Sequence, residues 1–424
     1  MGYGEPTSYR STSLFKTPNI DRLAMEGMRF TDAHSSAASC TPTRYGFLTG
    51  RYPHRIGQFG VLSTFSPPLI PDTRLTIASY LKRNGYTTAC IGKWHLGMNW
   101  DRPKTKGKNK TKEKLKIGEK MTGGPNAIGF EYFYGFTHAR NIQTVIEQDT
   151  VVREVKPVEN QPLMIAKAVD FLKEQSSNKE KPFFLYFPMC PPHKPVVPAP
   201  EYVGKGGGGG KGSYGDWVYQ GDSMLGQLLD TLESTGLAQK TLVLVSADNG
   251  AAGRDYPPLR DNKGSIYEGG HREPFLAKWP GRIKPGSKSD QIISITDIFA
   301  TCAEIIGVPL PDNAGEDSIS FLDCMLEKQV GPFREASVQQ SGKKAFAIRK
   351  GKWKLIVHGD NKRELFDLNL DLGESNNVIR THSQVAAELA SLLQSYLDRG
   401  RSTPGKAQPL EYKISLDEIR FKKK

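Results

Sequence analysis

Short apolar runs alternate with amphipathic stretches along most of the chain. Leu75 to Asn84 carries its apolar residues at helical spacing and closes at Gly85, and Tyr86-Thr87-Thr88-Ala89-Cys90-Ile91 follows as a strand. The pattern recurs where Val218, Leu225, Leu228, Leu229 and Leu232 share a helical face, Gly236 ends the helix, and Leu242-Val243-Leu244-Val245 makes a buried strand. Phe183 to Phe187 is a further strand. Helices alternating with such strands predict an α/β fold with a mostly parallel central sheet flanked by helices, where ligands sit beyond the carboxyl ends of the strands.

The texture changes after about residue 340. Ala345–Ile348 and Trp353–Val357 flank Arg349-Lys350-Gly351-Lys352 as an antiparallel hairpin. Val385, Leu389, Leu392, Leu393 and Tyr396 then line one face of a last helix, which Gly400 and Pro404 end. The expected division is a catalytic domain over 1–340 and a small C-terminal α+β subdomain over 341–424 with a basic tail. No internal repeat is visible.

Composition adds loops and charge. The 43 glycines and 28 prolines in 424 residues point to long connections rather than a helical bundle. A formal net charge of +13 asks for a polyanionic partner, either nucleic acid, an anionic membrane surface or a sulfated polymer. Seven lysines at alternate positions from Lys104 to Lys116 read as a solvated insertion or as an electrostatic funnel for an acidic polymer, and without interleaved aromatics they do not suggest base stacking. Gly204 to Gly212 is expected to be a flexible loop, because Gly212 stands after Lys211 where a phosphate loop needs Ser or Thr. Cys40, Cys90, Cys190, Cys302 and Cys324 are too widely spaced for a zinc or redox motif, and they define no disulfide framework. No apolar run is long enough to span a membrane, and residues 1–20 have no export-signal pattern.

Four segments carry chemistry. In Cys40-Thr41-Pro42-Thr43-Arg44, Pro42 suits the first turn of a helix, so Cys40 falls at a helix N-terminus where backbone N–H groups favour an anion. Gly92-Lys93-Trp94-His95 comes directly after the Tyr86–Ile91 strand. His193 sits in Pro191-Pro192-His193-Lys194-Pro195 after the Phe183–Phe187 strand. Asp248-Asn249-Gly250 ends the Leu242–Val245 strand, and a carboxylate beside an amide oxygen suits a hard divalent cation. Taken singly, each segment is equally a helix start, a structural loop or a common turn.

Together they resemble the type I sulfatases of the alkaline-phosphatase-like superfamily. The signature is Cys, any residue, Pro, a small residue and Arg, closing on Thr49-Gly50-Arg51. Gly92–Gly97, the Lys263-Gly264-Ser265-Ile266-Tyr267-Glu268-Gly269-Gly270-His271-Arg272-Glu273-Pro274 run, Thr17–Leu23 and Glu364–Leu368 extend the likeness over nearly the whole chain. The resemblance implies hydrolysis of aryl or carbohydrate sulfate esters by a formylglycine (3-oxoalanine) that a formylglycine-generating or equivalent maturation enzyme makes from Cys40. In the implied chemistry, one hydroxyl of the hydrated aldehyde attacks sulfur, and deprotonation of the other expels sulfate. Arg44 orients the diol or neutralises its alkoxide, and Arg51 supports the loop. Lys93 and Lys263 bind sulfate, His95 is a base for the collapse, and His193 meets the sulfate and protonates the leaving oxygen. Asp248, Asn249 and modified Cys40 hold calcium, with magnesium as the alternative. A sulfated small molecule or glycan is the implied partner, with no nucleic acid and no membrane span. The implied location is periplasmic, extracellular or lysosomal.

One departure lies at the start. Family members open on an apolar strand and two metal-binding aspartates before a Gly-Tyr-Gly-like turn, whereas here Gly2-Tyr3-Gly4 follows Met1 directly. The expectation is a missing N-terminal strand and an incomplete metal site, with a poorly folded and nearly inactive product. An in-frame Asp-Asp upstream of Met1 would restore both. The competing reading is a non-catalytic binder of sulfated glycans in which Cys40 stays a thiol. Specificity is expected in loops 98–125, 138–160 and 200–215.

Overall fold

The structure, a computed structural model, describes the chain except residues 102–113, 179, 329–330, 343, 417–419 and 424, with the backbone alone at 420–423. Most of the Lys104–Lys116 stretch therefore lies outside the described residues, while Lys114 and Lys116 are exposed. The chain divides into two compact units, one of 1–13, 21–61 and 242–424, the other of 14–20 and 62–241. The C-terminal segment 341–424 packs as part of the first unit.

In the first unit the strands Ser287–Ser289, Met28–His34, Arg272–Lys278 and Val243–Ser246 lie side by side in that order, and Ile293–Ser294 also pairs with Met28–His34. The pairings of Arg272–Lys278 are antiparallel and the other two are parallel. Every residue of Arg272–Lys278 is buried, as befits a strand covered on both faces. Phe30, Phe275 and Phe321 meet edge-to-face with centroids 5.4–5.7 Å apart beneath it.

A second sheet in this unit is an antiparallel meander of Ser337–Gln340, Phe346–Lys350, Trp353–Val357 and Arg363–Asp367. Its alternation is strict. Phe346, Ile348, Leu355, Val357 and Leu365 pack on Leu389, Leu393, Tyr396 and Leu397 of the Ser383–Arg399 helix. Ala347, Ile356 and Phe366 point the other way, onto Ile266. The two-residue period puts Lys354 and Arg349 on this second face. The Lys354 ammonium lies 2.9 Å from Glu268 and 2.7 Å from Glu374, and Arg349 meets Asp32 at 2.9 Å. Burial opposes ionisation of Glu268, but Lys354 foremost, with Arg272, holds its carboxyl well below the usual range.

In the second unit the order is Thr150–Glu154, Thr144–Glu147, Tyr132–Phe136, Thr87–Lys93 and Phe183–Tyr186, and Thr87–Lys93 is parallel to both of its neighbours. The helices Ile77–Arg83, Pro157–Ser176 and Tyr214–Ser234 belong to this unit. Thr76 caps the first of them by accepting the Ser79 N–H, while Ser79 returns a bond to the Thr76 backbone. The Gly204–Gly212 run, expected as a loop, is one, and it is gathered round a side chain. The Asp216 carboxylate accepts the N–H groups of Gly204, Gly206 and Gly212, each at 2.8 Å, and of Ser213 at 3.3 Å, so the loop wraps an internal anion.

Within each unit an apolar strand stands at a sheet edge with a neighbour on one side among the described residues: Val243–Ser246 in the first, Phe183–Tyr186 in the second. Neither is fully buried. These are edges to which a further strand can add.

Lys354→Met tests the buried charges. It leaves Glu268 and Glu374 together without exposed surface, and removing one partner of a buried pair costs about 3–5 kcal/mol. Urea denaturation of the variant should show a loss of that order, and a loss below about 1 kcal/mol would mean that the carboxyls adapt without the ammonium.

Candidate active site

Cys40 is the first residue of the helix Cys40–Thr49, buried, with Ser39 as its extended N-cap. The segment before it is braced from two sides, as Ala38 N–H donates to the Gln340 carbonyl at 3.1 Å and the Ala38 carbonyl accepts Gly264 N–H at 2.8 Å. That second bond carries the Lys263 loop to the helix start and sets Lys263 Nζ 3.3 Å from Cys40 Sγ. Arg44, one turn further along, points its Nε and Nη2 at the same Asp248 carboxylate oxygen, at 3.1 and 2.9 Å. Arg51 lies buried between Glu316 at 3.5 Å and Glu411 at 2.9 Å, as a loop support would.

Asp248 and Asn249 follow the Val243–Ser246 strand. Asn249 Nδ2 donates to the Gly250 carbonyl at 2.9 Å, and its buried Oδ1 has no hydrogen-bond partner. An orphaned amide oxygen beside a carboxylate gives two oxygen donors of the kind a hard divalent cation takes. A further buried acceptor is Glu273, whose Oε1 takes a long bond from Ser35 at 3.4 Å and whose Oε2 has no partner. Burial, with Asp248 and Glu5 adding to it, pushes that carboxyl well above the usual range, against the pull of the Met1 amino group. The sequence pattern gave Glu273 no role of its own, since it stands in the Lys263–Pro274 run among residues matched for other reasons.

Among the described residues, His34, Glu268 and His271 are the one group of three His, Cys, Asp or Glu side chains close enough to share a metal. An internal cation already serves it. Lys354 Nζ, 2.9 Å from Glu268, lies 3.1 Å from His271 Nε2, and burial together with Lys354 holds His271 well below the ordinary histidine range.

In the second unit, Lys93 ends the Thr87–Lys93 strand with its side chain buried, and its backbone N–H donates to the Pro188 carbonyl at 2.9 Å. Trp94 and His95 continue the parallel pairing, donating to Phe136 and Thr137 at 2.9 and 2.7 Å. His95 has φ 63°, a left-handed conformation unusual for a non-glycine residue and characteristic of functional positions. Its Nε2–H donates to the Leu62 carbonyl at 3.0 Å. Gly92 and Gly97 flank this turn at φ 131° and 76°, where a Cβ would come within 2.4 Å of the Pro188 and 2.0 Å of the Pro67 carbonyl oxygens. His193, half-buried after the Phe183–Tyr186 strand, is held by its Nδ1–H to the Lys194 carbonyl at 2.6 Å and by Trp217 Nε1 donating to its own carbonyl at 2.9 Å.

His138 was missed in the sequence, although it follows the carboxyl end of a parallel strand, Tyr132–Phe136. Its ring centroid lies 5.4 Å from that of His95. Nδ1 accepts the Arg140 N–H at 3.1 Å, so Nε2–H donates to Thr64 Oγ1 at 2.8 Å. Burial first, then Lys93 and Arg140, lower its pKa to about 4. A histidine depressed on folding supports stability fully above its unfolded value near 6.5, and that support drains as the pH falls toward 4. An NMR titration should find His138 neutral from pH 9 to 5 with a midpoint near 4, and Lys93→Ala should raise the midpoint; a midpoint near 6.5 in the unaltered chain would contradict this environment.

A family model described as Sulfatase matches residues 5–308, and one described as N-sulphoglucosamine sulphohydrolase, C-terminal, matches residues 261–402. The chain is 30% identical to N-acetylgalactosamine-6-O-sulfatase of Bacteroides thetaiotaomicron, over 94% of this chain and 91% of that protein. It is 31% identical to arylsulfatase A of Bos taurus, over 92% of this chain and 83% of the relative. A solved structure from work on the metabolism of multiple glycosaminoglycans by Bacteroides thetaiotaomicron superposes with a TM-score of 0.81 at 29% identity, covering 93% of this chain and 96% of the other. With one family model spanning more than half of its length and these relatives aligned nearly end to end, the chain belongs to the sulfatase family, as a sulfuric ester hydrolase of the alkaline-phosphatase-like superfamily.

Proposed function

We propose that this chain hydrolyses carbohydrate sulfate esters through a formylglycine made from Cys40, with a divalent cation at Asp248 and Asn249. The observation that carries the reading is Lys263 Nζ at 3.3 Å from Cys40 Sγ, at the start of a helix. A cation and helix-end N–H groups aimed at one side chain suit a nucleophile that receives an anion and carries negative charge in the transition state. The hydrated aldehyde supplies two hydroxyls, one to attack sulfur and one whose deprotonation releases sulfate. Calcium, with magnesium as the alternative, would be held by Asp248 and Asn249 and would offset charge on sulfate oxygens.

The other residues have roles that their surroundings support. Arg44, paired with Asp248, keeps that carboxylate aimed, and so acts on the nucleophile's neighbour as much as on the nucleophile. Lys93 supplies a second buried ammonium for sulfate. His95, with Nε2–H committed to Leu62, offers Nδ1 as the base. His193 is the acid for the leaving oxygen. A carbohydrate substrate is supported by the relatives, which include N-acetylgalactosamine-6-sulfatases, and by the basic balance of the chain.

Incubation of chain matured with the formylglycine-generating enzyme against a panel of sulfated glycosaminoglycan fragments and aryl sulfates tests this reading, and no sulfate release from any of them would sink it. A Cys40 peptide of unchanged mass after maturation would favour the non-catalytic binder. Cys40→Ser should accept sulfate without expelling it, so mass spectrometry should show a trapped sulfate ester; near-normal steady-state turnover would exclude the proposed exit. Lys93→Ala and Lys263→Ala should each lower turnover by roughly two to three orders of magnitude, the scale of one lost transition-state donor, and effects under about threefold would mean that the two ammonium groups do not face the sulfate.

A further inference from the structure

The Tyr214–Ser234 helix gathers two loops of the second unit at its first turn. Asp216 holds the glycine-rich run through the N–H groups of Gly204, Gly206, Gly212 and Ser213, and Trp217 Nε1 holds the His193 carbonyl at 2.9 Å. A third strand of chain joins them, since Lys16 N–H donates to the Gly206 carbonyl at 2.9 Å. The lysines of these segments are thereby collected. A Cβ on Gly204 would touch Lys211 Cγ at 3.8 Å, and one on Gly207 would touch Lys16 Cγ at 3.9 Å. Lys16, Lys205 and Lys211 are exposed, as is Lys194 beside His193.

Two further features give this patch a character beyond charge. Asp216 is turned inward onto backbone N–H groups, so the loop's own carboxylate does not face the lysines, and Glu201, exposed on the preceding turn, is the acidic counterweight. Leu14 is 74% exposed beside the glycines, where a Cβ on Gly208 would lie 3.5 Å from its Cβ. Bare glycine backbone and an aliphatic side chain make a flat surface that the apolar face of a sugar ring can cover, while the ammonium groups reach anionic substituents at the ring's edge.

We infer that Lys16, Lys205 and Lys211, arrayed round the Asp216-centred glycine loop with Leu14, form a subsite for a second anionic sugar of a multiply sulfated oligosaccharide whose scissile sulfate lies at His193. This rests on the proposed sulfatase reading, which it deepens by naming the substrate class: a polysulfated glycan rather than a monosulfated sugar or an aryl sulfate. The subsite binds and selects; it takes no part in the chemistry.

The experiment compares the full chain with the Lys16→Ala, Lys205→Ala, Lys211→Ala triple variant. Exposed lysines leave the fold intact when replaced, which a thermal melt confirms. Anisotropy of a fluorescent, multiply sulfated tetrasaccharide should show about tenfold weaker binding to the variant, the sum of three exposed ion pairs, and the difference should shrink as salt is raised. In turnover, KM for the same tetrasaccharide should rise by a similar factor with kcat unchanged, while an aryl monosulfate is hydrolysed equally by both. Unchanged tetrasaccharide binding would overturn the subsite, whatever the turnover. Equal losses on the tetrasaccharide and on an oligonucleotide of matched charge would overturn it as a glycan site. Absence of aryl sulfate and tetrasaccharide turnover in the unaltered chain would instead sink the sulfatase reading, with binding still deciding the subsite.

Discussion

Lys354 reaches from the C-terminal meander to Glu268 and Glu374, while Arg349 from the neighbouring strand meets Asp32. All of these groups are buried. Ion pairs so enclosed are costly to desolvate and add little net stability, but none of their members can be left alone, so they admit few arrangements of the backbone that carries them. That constraint falls on the Glu268–His271 turn, which feeds the Arg272–Lys278 strand on one side and the Lys263 loop on the other. The Lys263 loop, tied to Ala38 at its Gly264 N–H, is thus joined to a turn held by buried charges. The period of the meander decides which residues do this, because a slip of one residue would turn Lys354 toward the Ser383–Arg399 helix and Leu355 toward Glu268.

The chemistry-bearing residues lie where backbone ends rather than where side chains cluster. Cys40 opens a helix, Asp248 and Asn249 follow one strand, Lys93 and His95 leave another, and His193 follows a third. At such positions N–H groups and carbonyls have lost their regular partners, and side chains project without a neighbouring strand to crowd them. The left-handed His95 shows the cost of this placement. Its conformation persists because Trp94 and His95 are bonded to Phe136 and Thr137, and because Gly92 and Gly97 let two carbonyls come closer than any Cβ would permit.

Asn249 Oδ1 and Glu273 Oε2 are shielded from water and take no hydrogen bond, a condition that costs about 1–3 kcal/mol per group. A ligand that satisfies them recovers this energy on binding.

From the chain alone, the alternation of elements, the strand after each helix, the C-terminal hairpin and helix, and the motif residues were all legible, because each is a local matter of periodicity, turn chemistry or spacing. The helix that Pro42 places at Cys40 begins there, and the strands read as Tyr86–Ile91 and Leu242–Val245 run over Thr87–Lys93 and Val243–Ser246. What could not be read were pairings between distant segments. Arg44 pairs with Asp248 because a strand more than 200 residues away brings that carboxylate within 2.9 Å. The glycine run, locally the most flexible part of the chain, is ordered by one aspartate in the following helix, and His138 becomes part of the His95 surroundings only through parallel pairing of their two strands. Burial decides the rest. Glu273 and Lys354 have ordinary charged side chains in the sequence, and only the layers folded over them make one an uncompensated acceptor and the other an internal cation.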